Sequence, residues 1–287
     1  MIVALASARR LSFLGPLVLA LCSSGACAKN GTTPEADASP GKSHTQAKAD
    51  GAEAAEAPPQ LPEAAGILNK AAKAMGDVEA LAQVESFYYR GTIDMAGQNI
   101  HGDLEIWWKK GDFFMEQIIP GIGQMRAGKQ GEEIWADDPI NGPRKLAGVE
   151  AEQHAWASSL LLAAEWDRYF DEAQTVAARD VDGRTIHDVK LSAASGLTVT
   201  MSFDAESGLQ VGQSFEQVTP MGRQPFVVRF EDYREVEGIK LAFRQIIDAK
   251  VQKVVQEITE VKINAEVDET RFGFPHTGDV VRQPKAG

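Results

Sequence analysis

Hydrophobic and polar positions alternate along residues 86–108, SFYYRGTIDMAGQNIHGDLEIWW. Phe87, Tyr89, Gly91, Ile93 and Met95 share one face and Tyr88, Arg90, Thr92 and Asp94 the other, which is the period of a half-buried strand. After the turn Ala96-Gly97-Gln98-Asn99, Ile100, Gly102, Leu104, Ile106 and Trp108 alternate with His101, Asp103, Glu105, Trp107 and Lys109. A second strand therefore pairs antiparallel with the first, and the hairpin has one apolar face. Further strands are expected at 113–119, 122–128 and 133–137. More follow at 175–181, 185–191, 197–203, 209–218, 226–233 and 239–247, joined by hairpin-like turns such as Asp182-Gly183 and Glu237-Gly238. Short strands at near-regular spacing favour a meander.

Two stretches change period. In 62–76, Ala64, Ile67, Leu68, Ala71 and Met75 recur at helical spacing before Gly76, which predicts a covering helix. In 150–170, Trp156, Leu160, Leu161, Ala163 and Ala164 recur at three- and four-residue intervals, which predicts an amphipathic helix inserted midway through the sheet. The segment VQKVVQEITEVKI fits both periods, and its β-branched content favours a strand. The fold class expected is α+β, mainly antiparallel β, with helices over a curved sheet. A sheet that closes most of a barrel leaves an inner wall of Phe, Trp, Tyr, Met and Ile. Candidate lining residues are Phe87, Tyr89, Ile93, Leu104, Ile106, Trp108, Met115, Trp156 and Leu160.

Composition divides the chain. Arg9 and Arg10 precede an apolar run over 11–21, long enough for a signal-peptide core and too short for a membrane span, so the chain reads as exported. Ala26-Cys27-Ala28 fits release as a soluble protein, while Ser24-Gly25-Ala26-Cys27 resembles a bacterial lipobox in which Cys27 is lipidated. Residues 29–59 hold no aromatic and are rich in Ala, Gly, Pro, Ser, Thr, Lys and acidic residues, the composition of a disordered linker. The organisation expected is a signal peptide over 1–27, a linker over 28–60, a folded domain over 61–275 and a disordered tail over 276–287. Both cysteines, Cys22 and Cys27, lie in the targeting region, which leaves the domain no disulfide, thiol nucleophile or thiolate metal site. With 41 acidic against 29 basic residues and a net charge of −12, nucleic acid is not an expected partner.

Candidate chemistry is sparse. The chain has no G-x-S-x-G, H-E-x-x-H or P-loop pattern. His44 and His276 fall in the linker and the tail, and His101, His154 and His187 are scattered, so structural or solvated roles are expected for them. Glu132-Glu133 and Asp137-Asp138 read as charge near turns rather than a catalytic pair. Arg90 is the polar residue to watch, because an arginine on a largely buried sheet needs a carboxylate or a polar part of a ligand as partner. Neither an enzyme nor a metal or cofactor site is expected.

Several motifs occur in a telling order: A-M-G then D-V-E-A-L, S-F-Y-Y-R-G-T-I, a strand carrying W-W, E-I-W-A-D-D-P before G-P-R-K-L-A-G, F-D-A-E-S-G-L, D-Y-R-E-V-E-G-I-K-L, and a closing strand before R-F-G-F-P. Across residues 62–275 the chain resembles outer-membrane lipoprotein-sorting-like proteins of the LolA-LolB fold, in an uncharacterised branch. The resemblance implies a half-open β-barrel of about eleven strands, with helices capping a hydrophobic cavity for acyl chains. It implies as partners acyl chains or lipoproteins, a membrane reached through a lipid anchor, or an envelope protein. Periplasmic carriers, anchored receptors and envelope sensors all occur in that family. The function expected is therefore a non-enzymatic envelope binding protein, in the periplasm or tethered to the outer membrane. The alternative is a sensor or protein-interaction module whose filled interior binds nothing small.

Overall fold

The computed structural model describes residues 61–76, 81, 83–159, 162–220, 222–249 and 252–275. Helix α1, Ala64–Met75, buries Ala64, Ile67, Leu68, Ala71 and Met75, the stripe its spacing predicts. Gly76 then bridges to Ile239 instead of extending the helix.

The strands are β1 Ser86–Met95, β2 Ile100–Lys109, β3 Asp112–Ile119, β4 Gly123–Gln130, β5 Glu133–Asp137 and the two-residue β6 Arg144–Lys145. Helix α2, Gly148–Ala157, intervenes. There follow β7 Glu172–Val181, β8 Arg184–Ser192, β9 Thr198–Asp204, β10 Gln210–Thr219, β11 Gly222–Val236, β12 Ile239–Asp248 and β13 Lys253–Ile263. All belong to one antiparallel sheet ordered β6-β5-β4-β3-β2-β1-β13-β12-β11-β10-β9-β8-β7. The chain walks outward from β1 to one edge, re-enters at the other edge with β7, and meanders back until β13 closes against β1. The ambiguous late segment is thus a strand, with partners on both sides.

Two expectations are corrected. The sheet has thirteen strands among the described residues, not about eleven. The helix expected over 150–170 ends at Ala157 and gives way to a 3-10 turn at Trp166–Arg168. Serine chemistry explains the early stop. The Ser158 hydroxyl donates to the Ala155 carbonyl at 2.9 Å, and the Ser159 amide to the Trp156 carbonyl at 3.1 Å. Such local bonds compete with helix propagation.

The sheet is open, yet it curls. Helix α1 touches β12 as well as β7 and β8, while α2 touches β5 and β10, which lie eight places apart in the strand order. A flat sheet could not present both to one short helix. The bend passes through Gly91 and Gly102 on the inner face. A Cβ on Gly91 would lie 2.4 Å from the Glu257 carbonyl oxygen, and one on Gly102 2.6 Å from that of Ile118. Beside Gly91 the β1–β13 register slips, a bulge of the kind that bends a strand.

The outer face carries a second, smaller core. Phe114, Trp135 and Phe272 are buried there, with Trp107, Val267 and Phe274 packed against them. Residues 264–275 form a strap across this face. It is held by Trp135, whose Nε1 donates to the Phe272 carbonyl at 2.7 Å, by Arg271 paired with Glu105 at 2.8 Å, and by Ser86, whose hydroxyl donates to the Ala265 carbonyl at 2.6 Å.

Candidate functional site

Register assembles the predicted lining residues into one wall. Phe87 stands opposite Trp108, Tyr89 opposite Ile106, Gly91 opposite Leu104, and Ile106 opposite Met115. Phe87, Tyr89, Ile93, Leu104, Ile106, Trp108 and Met115 belong to the main core, none more than 7% exposed. Trp156 joins them from α2, its ring 5.4 Å from Phe215 and 5.8 Å from Phe170. In this structure the wall is covered by packed side chains. Leu160, Cys27 and the whole leader lie outside the described residues.

Arg90 is placed differently from its expected role. It is exposed on the outer face, with Glu105 and Glu260 as cross-strand neighbours, and no carboxylate comes within ion-pair distance of it among the described residues. Water meets its needs there, so the requirement for a buried partner does not arise. The other watched groups resolve into structure. His101 Nδ1 meets Asp94 at 2.7 Å on exposed surface, Glu133 pairs with Lys145, and Asp137 pairs with Arg126 at 2.6 Å. Asp138 accepts from the backbone amides of Ile140 and Asn141 at 3.0 and 2.9 Å. Burial pushes its carboxyl upward, but these bonds and the Asn141 side chain outweigh it and hold the group below the ordinary carboxylate value.

Helix α2 is tied across the opening by polar clasps that sequence reading missed. Beyond Phe215, β10 outruns its pairing with β9. There the Gln153 side chain stands in for a strand: its Nε2 donates to the Glu216 carbonyl at 2.7 Å and its Oε1 accepts from the Val218 amide at 2.6 Å. On the opposite arm Arg144 holds Glu150 through two bonds of 2.8 and 2.7 Å, and Ala151 and Ala155 pack on Ile134, Ala136 and Leu146. Between these attachments His154 is 2% exposed, and its Nδ1 has no partner. Burial pushes its pKa down from 6.5 to about 4, with Arg144 acting in the same direction and Glu150 against it.

Glutamines also line the inner face, at Gln117, Gln213, Gln217, Gln245 and Gln256, all buried. Alternation already carried this signal, since Gln213 and Gln217 share the parity of Phe215, and Gln245 that of Phe243 and Ile247. Among the described residues the outer face carries concavities. One of about 650 Å³ has Arg179, Asp188, Ser202, Val227 and Arg229 among its lining residues, and one of about 860 Å³ lies beside the strap, against Phe114, Trp135 and Phe274. Among the described residues, no three His, Cys, Asp or Glu side chains converge to hold a metal ion.

No family model matches the chain, and no curated protein matches it in sequence. Among solved structures it is similar to a LolA superfamily protein from Nitrosomonas europaea, with a TM-score of 0.51 at 14% identity, covering 74% of this chain and 98% of that one. It is similar also to a DUF1329 family protein from Desulfovibrio piger, with a TM-score of 0.51 at 10% identity, again over 74% of this chain and 98% of the other. The chain has a LolA-like fold. The wall from Phe87 to Met115 lies on the inner face of the curled sheet, the face over which α1 and α2 pack.

Proposed function

We propose that this LolA-like protein is a non-enzymatic binding protein of the bacterial envelope, sheltering lipid, acyl chains or the acylated end of a lipoprotein in its trough. On this reading it is exported to the periplasm and tethered to the outer membrane through Cys27, and it serves lipoprotein localisation or outer-membrane maintenance. The observation that carries the reading is the position of α2: a short helix spans from β5 to β10 over an apolar wall, held by a few polar clasps. Such a roof can part without dismantling the sheet. Apolar burial at about 25 cal/mol per Å² would drive binding.

Gentle purification followed by native mass spectrometry tests it. Co-purified lipid is expected, together with displacement of a fluorescent fatty-acid probe. A clean apo mass with no probe response would overturn the carrier reading. Cys27→Ser should release the protein from membranes, and persistent membrane fractionation would refute the anchor.

One observation favours the second reading, a sensor or protein-interaction module: the inward residues are already packed against one another. That reading predicts a pull-down partner that survives Ile106→Ser in a folded variant.

A further inference from the structure

We propose that the trough carries a polar subsite at Gln245 and Gln256 that takes a hydrogen-bond donor from the bound amphiphile; this rests on the carrier reading above. The two residues stand directly opposite one another on β12 and β13 and are 5% and 3% exposed. Ile93 flanks Gln256 on one side and Phe230 flanks Gln245 on the other, both on the inner face.

Gln245 Oε1 is buried and has no hydrogen-bond partner. A buried acceptor without a donor is destabilising, and such atoms are few in folded proteins. A wall built only to hold hydrocarbon gains nothing from it, since leucine would fill much the same space without the loss. The atom is an uncharged amide oxygen among neutral neighbours, so its complement is a neutral N–H or O–H rather than a cation. The ligand class is therefore a long-chain amphiphile whose polar junction donates, such as a secondary amide or a hydroxylated chain. A plain ester brings only acceptors and leaves Gln245 unpaired.

Displacement of a fluorescent fatty-acid probe from the full-length protein tests this with three competitors: a long-chain N-methyl amide, the ester of the same chain, and that ester bearing a hydroxyl. The wild type should favour the amide by about three- to tenfold over the ester, the size of one hydrogen bond. The hydroxylated ester separates the two donor sources: matching the amide, it means that either donor serves, and matching the plain ester, it confines the subsite to amides. In Gln245→Leu and Gln256→Leu the preference of amide over ester should vanish. Gln245→Leu should also melt no lower than the wild type, because it removes an unpaired acceptor.

Equal amide and ester affinity in a protein that binds the probe would overturn the subsite and leave the trough standing. An ester preference lost in the variant would overturn it as well, by showing a free donor at this place. Failure of Gln245→Leu to fold would show that the amide is needed by the fold itself. No probe binding at all would remove the trough reading and the subsite together.

Discussion

Acid should loosen this protein through His154 before its carboxylates respond. The imidazole is buried, its Nδ1 has no partner, and its pKa is pushed down from 6.5 to about 4. Between those two values the unfolded chain binds a proton that the folded chain refuses. Stability therefore falls as pH drops from 6.5 and levels off below about 4. At 1.36 kcal/mol per pH unit across that gap, the loss approaches about 3 kcal/mol, or roughly 6–12 °C in Tm for a domain of this size. Carboxylates act in another window. Backbone and hydroxyl bonds from Ser207 hold Asp204 below its ordinary 3.8, and Arg179 and Ser202 do the same for Asp188 against the upward push of its burial. Their contribution is present above 3.8 and is lost only as pH falls through their lowered values. Thermal melts of wild type and His154→Leu, followed by near-ultraviolet circular dichroism from about neutral pH to about 4, isolate the histidine. The wild type should lose about 3 kcal/mol more than the variant over this range. Equal slopes would refute the reasoning and show that His154 finds a proton-accepting partner in solution.

Other substitutions probe the remaining joints of the structure. Gly91→Ala places a Cβ 2.4 Å from the Glu257 oxygen and should cost about 1–3 kcal/mol in urea denaturation. By contrast, Gly66→Ala, with nothing within 4 Å on the exposed side of α1, should gain about 0.5–1 kcal/mol. Trp135→Phe leaves the Phe272 carbonyl without its donor and should cost about 1–3 kcal/mol, with faster hydrogen exchange confined to 264–275. Gln153→Leu strips two bonds from the β10 edge, and exchange over 148–157 should rise while the sheet stays protected.

Period-based reading succeeded where one face of an element is buried and the other wet. The β1–β2 hairpin pairs from Ser86↔Lys109 to Met95↔Ile100 without a slip, because a one-residue shift would turn every inward side chain outward. Helix α1 was legible for the same reason. The region after Ala157 was not: its apolar spacing is helical, but Ser158 and Ser159 bond the preceding carbonyls and end the helix. Adjacent Trp107 and Trp108 announced that one ring must face away from the core; Tyr88 of the same hairpin covers part of Trp107, and the rest of its cover comes from far along the chain. Arg271 lies over its ring at 5.6 Å, and Val267 and Phe274 pack with it against the outer cluster of Phe114, Trp135 and Phe272. Local patterning holds no information about such long-range cover. Buried glutamines escaped because alternation was scored on apolar positions alone.

The roof sets a threshold on what the trough can admit. An isolated helix of ten residues is marginal in water, so α2 exists because of what it touches. Lifting it from β10 gives up the two Gln153 bonds and the packing of Trp156 on Phe215. Together these amount to about 3–5 kcal/mol, within the range of local opening and well short of unfolding the sheet. A guest must return that much by burying hydrocarbon. At about 0.8 kcal/mol per methylene, roughly four to six buried methylenes suffice. On the carrier reading, fatty acids of increasing length should therefore leave a fluorescent probe bound until the chain passes this length and displace it steeply beyond. In Gln153→Leu, where part of the latch is already gone, the onset should move to shorter chains. Displacement by very short acids as effective as by long ones would mean that α2 does not guard the entrance.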